Sequence, residues 1–470
     1  MMQLVWFRND LRTLDNTALH YACKRGQPVT AVVAITPEQW QSHGDAPVKQ
    51  SLYYRSLLTL KSSLAQLNIP LKVIETANFA GLPQQILDLS LQLGCTAIHV
   101  NRHYEWNERQ CEEELARLAV QTGIEIQRYT DQVFHEPGSV LTGKGEYYTV
   151  FTPFKKNIWP TLTQQPPQSY PVPPACPAST VTADDIPSWL EADEAGLRAD
   201  LWPAGEEEAI RRLELFVERK LPMYGQLRDI PSQPGTSTLS PYLALGIISP
   251  RTCLHYALSR LPEARAHQGA ETWINELIWR DFYKHILVGF PRVSKHRAFK
   301  QDTEALAWRY SDRDLQRWQQ GQTGYPLVDA AMRQLNQTGW MHNRLRMVTA
   351  MFLSKHLLLD WRLGEAYFMS KLVDGDLAAN NGGWQWSAST GTDAAPYFRI
   401  FNPVSQSEKF DPEGRFIRRF VPELAHLDNK TIHSPWLAGK VANYPAPMVD
   451  HKFARQRVLD SFQALKDISA

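Results

Sequence analysis

The sequence predicts an α/β N-terminal domain built on a Rossmann-like parallel sheet, joined by a long linker to an all-α domain. Three observations predict it. Short apolar runs rich in β-branched residues alternate with helix-length segments over residues 1–130. Prolines then crowd the segment 160–187. After residue 206 the strand signals almost vanish and helical patterns take over.

The apolar runs fall at 4–7, 29–34, 71–74, 96–100 and 124–127, with helix-length segments at 50–67, 82–93 and 105–122 between them. Such alternation argues for a parallel sheet with helices on both faces. A ligand would then sit at the carboxyl ends of the strands. No G-x-G-x-x-G follows the first strand, and no G-x-x-x-x-G-K-[ST] occurs anywhere. A dinucleotide cradled by backbone glycines is therefore not expected in this domain, and any ligand would be held by side chains such as Asn107 and Glu108.

Residues 131–205 read as a linker wrapped along the surface, because eight prolines between 160 and 187 exclude regular helix and central strand. Residues 206–470 form the helical domain, with helices expected over 206–219, 251–260, 271–288, 326–337, 342–361 and 449–465. The chain carries no internal repeat and no low-complexity tract.

At 470 residues the chain is long enough for two or three domains with real cores. Fifty basic and 49 acidic residues cancel, so net charge is silent about a polyanionic partner. The five cysteines, at 23, 95, 111, 176 and 253, show neither C-x-x-C nor a metal-ligand spacing. They read as reduced thiols of an intracellular, cytoplasmic protein. Only a short apolar run precedes Arg8 and Asp10, so no signal peptide is expected, and no apolar stretch approaches the ~18 residues that suggest a membrane span.

The densest chemistry lies at 374–386, where two carboxylates, two asparagines, glycines and two tryptophans fall together. The run 377–379 is too short to stand as an element. Gly375, Gly382 and Gly383 admit unusual backbone angles and close ligand approach. Asp374 and Asp376 accept hydrogen bonds, Asn380 and Asn381 donate and accept, and Trp384 and Trp386 offer flat surface. A planar, heteroatom-rich ligand suits this mixture; an Asx-rich turn followed by core tryptophans is the alternative.

Helical spacing puts Trp273, Glu276 and Arg280 on one face, with Trp279 beside Glu276. The alternative there is a surface ion pair next to core tryptophans. In 339–347, Asn343, Arg346 and Met347 share a face; a buried Arg346 would want a carboxylate such as Asp374 or Asp376. Tyr224 followed by 235–240 places glycine and hydroxyl residues ahead of helical sequence, which suits an anion such as pyrophosphate or a plain helix cap. The stretch 280–300 carries six Lys or Arg residues interleaved with aromatics and one acid. It reads as a phosphate-tracking surface or as a solvated basic face.

Taken together, these residues resemble the photolyase/cryptochrome family, and within it the class I cyclobutane pyrimidine dimer photolyases of the folate-antenna type. The likeness runs from Trp6 and Phe7 to the last helices. It implies an N-terminal antenna domain and a helical domain holding FAD, active in its reduced form. The flavin positions would be Tyr224, Thr236, Ser237, Thr238, Leu239, Ser240, Trp273, Arg280, Trp340, Asn343, Arg346, Asp374, Gly375, Asp376 and Asn380. Thr236 to Ser240 would hold the pyrophosphate, and Asn380 would face the flavin N5, where a neutral amide tolerates an anionic flavin better than a carboxylate would.

The implied reaction is light-driven DNA repair by a carbon–carbon lyase. Excited reduced flavin passes an electron to a pyrimidine dimer flipped out of UV-damaged DNA, the cyclobutane bonds split, and the electron returns. Glu276 would hydrogen-bond the base edge with Asn343 as helper, while Trp279, Met347 and Trp386 wall an apolar cleft. Arg228, Arg280, Arg344, Arg399 and Gln406 match positions at the DNA. Trp308, Trp361 and Trp384 match electron-relay tryptophans. Asn107, Glu108 and Lys295 match contacts to 5,10-methenyltetrahydrofolate, although Ser294 stands where folate-binding relatives often have cysteine and Thr238 where they often have arginine. The protein is expected to act as a monomer away from membranes.

A cryptochrome-type blue-light receptor shares the fold, but often carries a long C-terminal extension. Asn380, Met347 and Trp386 favour dimer repair. A (6-4) photolyase would use histidine where Met347 stands, and a dark flavin oxidoreductase would need a nicotinamide fingerprint.

Overall fold

The computed structural model describes residues 2–191, 198–439 and 441–469. The chain forms two compact units. The first comprises Met1–Pro222, Ser237–Pro291 and Val373–Asp376; the second comprises Met223–Thr236, Arg292–Leu372 and Leu377–Ala470.

The first unit contains a five-stranded, all-parallel sheet: β1 (Met2–Phe7), β2 (Val29–Ile35), β3 (Leu71–Glu75), β4 (Cys95–Asn101) and β5 (Glu125–Tyr129), in the order β3-β2-β1-β4-β5. The three inner strands are almost wholly buried and the two edge strands only partly, which explains why the inner ones read as continuous apolar runs. Leu4, Val32, Ile98 and Val100 pack against the helices Leu82–Gln92 and Trp106–Ala119 through Ile86, Leu87 and Leu115.

Strand order reverses between β1 and β4, where a doubly wound sheet opens a ligand crevice. Here the chain's own polar groups fill that place. Asn101 Nδ2 donates to Asp10 at 2.7 Å and to Asn16 at 2.9 Å, and Asn101 Oδ1 accepts from the Ala18 amide at 3.0 Å. Nearby, buried Arg251 bridges Asp15 (3.0 Å) and Asp131 (2.8 Å), and Arg12 adds a second contact to Asp131 at 2.6 Å. Asp131 is thereby held well below the usual carboxylate range: burial alone would raise it, and the two guanidiniums outweigh burial.

Three expectations are corrected. The proline-dense stretch is not free of helix, because the helix Phe151–Gln164 runs through Pro160. Its buried stripe of Phe151, Phe154, Ile158 and Leu162, with Phe154 against Phe282 at 5.4 Å, outweighs the lost hydrogen bond. The expected helix over 342–361 is broken: Asn343–Met351 continues as a π-helical turn, Phe352–His356, and then stops. Leu358 takes a left-handed φ of 52°, and Asp360 caps a new helix, Trp361–Met369, by accepting from the Arg362 amide at 3.0 Å. Finally, residues 377–388 are no loop. Leu377–Ala388 is a 12-residue helix packed on Trp361–Met369 and Asn343–Met351.

The second unit centres on one apolar cluster that includes Trp318, Leu345, Phe352, Trp361, Phe368 and Trp384. The closing helix His451–Ser469 adds Val458 and Phe462 against Leu306 and Leu358.

Candidate active site

In the first unit, the helix His267–Gly289 carries the expected residues Trp273, Glu276, Trp279 and Arg280. Trp273 is buried against Phe216, with ring centroids 4.8 Å apart. Trp279 stacks on Phe151 at 3.7 Å and 6°, so its plane is fixed by the helix Phe151–Gln164 that the proline pattern concealed. Glu276 and Arg280 are half-buried, and Arg280 also donates to the Gln132 carbonyl. Asp376 accepts from Lys284 Nζ at 2.9 Å, and the same ammonium reaches Glu105 at 2.8 Å. Burial would lower the Lys284 pKa, but Asp376 and Glu105 raise it, so a buried cation is locked between two carboxylates. Asp374 and Gly375 are buried just before it.

Ser237 to Ser240 lead into the short helix Ser240–Ala244. Thr238 sits at a left-handed φ of 54°. Its hydroxyl donates to the Ser237 carbonyl at 2.7 Å and accepts from Arg212 at 3.3 Å, so this side chain is engaged within its own unit.

Two of the three antenna candidates, Asn107 and Glu108, stand side by side in the first unit. Asn107 Nδ2 lies 3.0 Å from His43 Nε2, and Glu108 lies 3.7 Å from His43 Nδ1. Glu108 Oε2 is buried without a hydrogen-bond partner among the described residues. Burial, then the charge of Glu105, pushes the Glu108 pKa up to about 8. Burial thus favours the protonated carboxyl, which can both donate and accept and suits the amide-like edge of a pterin.

In the second unit, Tyr224 is buried under the Arg228 guanidinium, 5.5 Å from its ring centre, and Thr236 is half-buried. Asn343, Arg346 and Met347 share one face of the Asn343–Met351 helix, with Trp340 half-buried just ahead of it. Arg346 donates to the Met341 carbonyl at 2.8 Å. Arg344 turns aside to Asp229 at 3.0 Å and covers the Phe410 ring at 4.5 Å. Lys295 is exposed in the turn Val293–Lys295, and Ser294 beside it is half-buried.

The helix Leu377–Ala388 carries the decisive group. Asn380 Nδ2 donates to the Glu365 carbonyl at 3.0 Å. A carbonyl can only accept, so this bond fixes the amide's orientation and leaves Oδ1 as the acceptor. One turn on, a Cβ built at Gly383 meets nothing within 4 Å. The acceptor left on Asn380 suits the N5–H of a reduced flavin. Gly375, Gly382 and Gly383 are not needed for unusual angles, since none has a positive φ.

Trp384 is buried, edge-on to Phe368 at 4.9 Å and to Trp318 at 5.9 Å. Trp361 lies in the same apolar cluster with Arg362 over its ring at 4.7 Å, and half-buried Trp308 packs on the cluster's margin. Trp386 is half-buried on the Leu377–Ala388 helix, Gln406 is half-buried on Pro403–Phe410, and Arg399 is exposed.

Sequence reasoning missed the residues that hold these groups. Buried Glu365 accepts from Asn381 Nδ2 at 2.7 Å, and Gln385 Nε2 donates to Asn381 Oδ1 at 2.9 Å. Lys355, in the π-helical turn, donates to the Arg399 carbonyl at 2.8 Å and so pins the turn that presents Arg399. The available signal was Glu365 and Lys355 standing among apolar residues, where a charge needs a dedicated partner.

A family model described as the FAD binding domain of DNA photolyase matches residues 273–464, and one described as DNA photolyase matches residues 3–174. The chain belongs to the DNA photolyase family. It is 45% identical over 476 residues to the deoxyribodipyrimidine photo-lyase of Vibrio cholerae, covering 99% of this chain and 100% of that one. The structure of a bacterial class III photolyase from Agrobacterium tumefaciens superposes with a TM-score of 0.90 at 35% identity, over 99% of this chain and 98% of that one. A cryptochrome from Synechocystis sp. PCC6803 gives 0.86 at 30% identity, over 98% of each chain.

Proposed function

We propose that this protein is a deoxyribodipyrimidine photo-lyase, which uses light to split cyclobutane pyrimidine dimers in UV-damaged DNA. The observation that carries this is the end-to-end 45% identity to an enzyme of that name. The fixed Asn380 amide supports it from the geometry. When bound, reduced FAD supplies on illumination the one electron that opens the dimer.

The chain's own residues bind, orient and shield. Tyr224, Thr236 to Ser240, Trp273, Arg280, Trp340, Asn343, Arg346 and the segment from Asp374 to Asp376 hold the flavin. Asn380 Oδ1 accepts at its N5. The flipped dimer costs a few kcal/mol of stacking to evert, least where damage has already weakened the pair. Trp279, Met347 and Trp386 give it apolar surface, and Glu276 with Asn343 hydrogen-bonds its base edge. Arg228, Arg344, Arg399 and Gln406 meet the DNA. Trp308, Trp361 and Trp384 carry an electron inward to an oxidised flavin. Asn107, Glu108 and Lys295 hold a methenyltetrahydrofolate antenna. The functional division is an antenna domain over 1–130, a linker over 131–205 and the flavin domain over 206–470. The enzyme works as a cytoplasmic monomer. No described helix is long and apolar enough to cross a membrane.

The test is binding. Protein offered FAD should retain it through gel filtration, and dimer-containing duplex should bind more tightly than undamaged duplex. Its log affinity should fall with log salt at a slope near −0.9 per phosphate contacted. Equal affinity for both duplexes, or a flat salt dependence, would remove the substrate assignment.

A further inference from the structure

Two of the five cysteines, 153 positions apart in sequence, meet in the first unit, where Cys23 Sγ lies 3.2 Å from Cys176 Sγ. Cys23 stands near the end of the helix Thr17–Lys24 and is partly exposed. Cys176 lies between Pro174 and Pro177 and is buried. Its backbone is fastened on both sides: its amide donates to the Leu67 carbonyl at 2.9 Å, and its carbonyl accepts from Asn68 Nδ2 at 3.1 Å. Asn68 itself holds a left-handed φ of 58° where the helix Pro47–Gln66 ends. The thiol is therefore delivered to Cys23 by a fixed main chain rather than by a loose loop.

A disulfide needs the sulfurs at about 2.05 Å, roughly 1.2 Å closer than they stand. We propose that Cys23 and Cys176 form a reversible redox site, closed to a disulfide by small hydroperoxides, that staples the proline-rich segment to the helix Thr17–Lys24.

The chemistry balances with hydrogen peroxide as oxidant. One thiolate attacks the peroxide, breaking its O–O bond and giving a sulfenic acid with loss of water. The second thiol attacks that sulfur and expels a second water. Two thiols and one peroxide give one disulfide and two waters. The hydrogen bond between the sulfurs favours the first step, because a thiolate on either sulfur is stabilised by the S–H of the other at 3.2 Å. The other three thiols are buried, and burial pushes Cys95, Cys111 and Cys253 each up to about 12, so they are poor nucleophiles. In a reducing cytoplasm such a bridge is transient and reports oxidative stress.

The full-length protein, freed of reductant and exposed to hydrogen peroxide, is alkylated, digested and mapped by mass spectrometry with and without reduction. The expected result is one cross-linked species joining the peptides of Cys23 and Cys176, lost on adding dithiothreitol. Two of the five thiols should disappear, and the melting temperature should rise by about 5 °C. Cys23→Ser and Cys176→Ser should each abolish both changes. Finding both cysteines alkylated as free thiols after peroxide, or each oxidised separately to sulfinic acid, overturns the proposal. Because the mapping is made on the unaltered chain, neither variant needs to fold for it to be decided.

Discussion

Gly364→Ala puts the packing around Trp384 to a test whose sign is decisive. Gly364 lies within the helix Trp361–Met369, and a Cβ built there falls 2.1 Å from Trp384 Cη2, 2.4 Å from Cζ3 and 2.6 Å from Leu353 Cδ2. Carbon atoms rest at about 3.5–4.0 Å, so the indole would have to retreat by roughly 1.5 Å. It has little room, being buried and flanked edge-on by Phe368 and Trp318. Overpacking of this kind costs about 1–3 kcal/mol. Alanine gains about 1 kcal/mol over glycine in a helix interior, which opposes the clash. With contacts this short the clash falls at the upper end of its range, leaving a net loss of about 1–2 kcal/mol. Thermal unfolding, followed by circular dichroism at matched flavin occupancy, should show the midpoint lowered by roughly 1–2 °C, because a 470-residue chain unfolds with an entropy of about 1 kcal/mol/K. A raised midpoint would mean that helix propensity alone acts at this site and that Trp384 is not held as described.

Three other substitutions address the chemistry. Trp384→Phe should slow photoreduction of oxidised flavin at least tenfold, as read by absorbance during illumination, while repair by chemically reduced enzyme persists; unchanged photoreduction would take Trp384 out of the relay. Glu276→Ala should lower dimers repaired per photon severalfold with FAD retained, and loss of FAD instead would make Glu276 a cofactor residue. Lys355 has a pH signature: burial, then Arg399 and Lys300, holds its pKa at about 7, below the ordinary lysine value. Across the window from about 7 to 10.5 Lys355 binds more protons in the unfolded chain than in the folded one, so its contribution to stability rises with pH. Lys355→Met should abolish that rise in urea midpoints measured between pH 7 and 9.5, and should weaken dimer-DNA binding severalfold by releasing the turn that presents Arg399.

The parallel sheet was legible because its inner strands are buried on both faces and so read as unbroken β-branched runs. The helix Leu377–Ala388 was not. Two glycines and two asparagines are poor helix formers, and its burial against two neighbouring helices leaves no polar face to mark a period. The break after His356 hid inside an apolar run, Leu357 to Leu359, although Asp360 ahead of Trp361 offered a capping signal. Asn380 could be singled out from its neighbours in sequence. What orients it, the Glu365 carbonyl fifteen residues earlier, is a tertiary fact. The same holds for Cys176, whose partner lies 153 positions away.

Light-dependent dimer splitting can be read in one experiment. Reduced, FAD-loaded protein is mixed with an oligonucleotide carrying one thymine dimer, and intact thymines are counted by chromatography after illumination with blue light and after an equal time in darkness. Restoration of thymines in the light and none in the dark is the predicted result; dimers that survive illumination with flavin bound would contradict it.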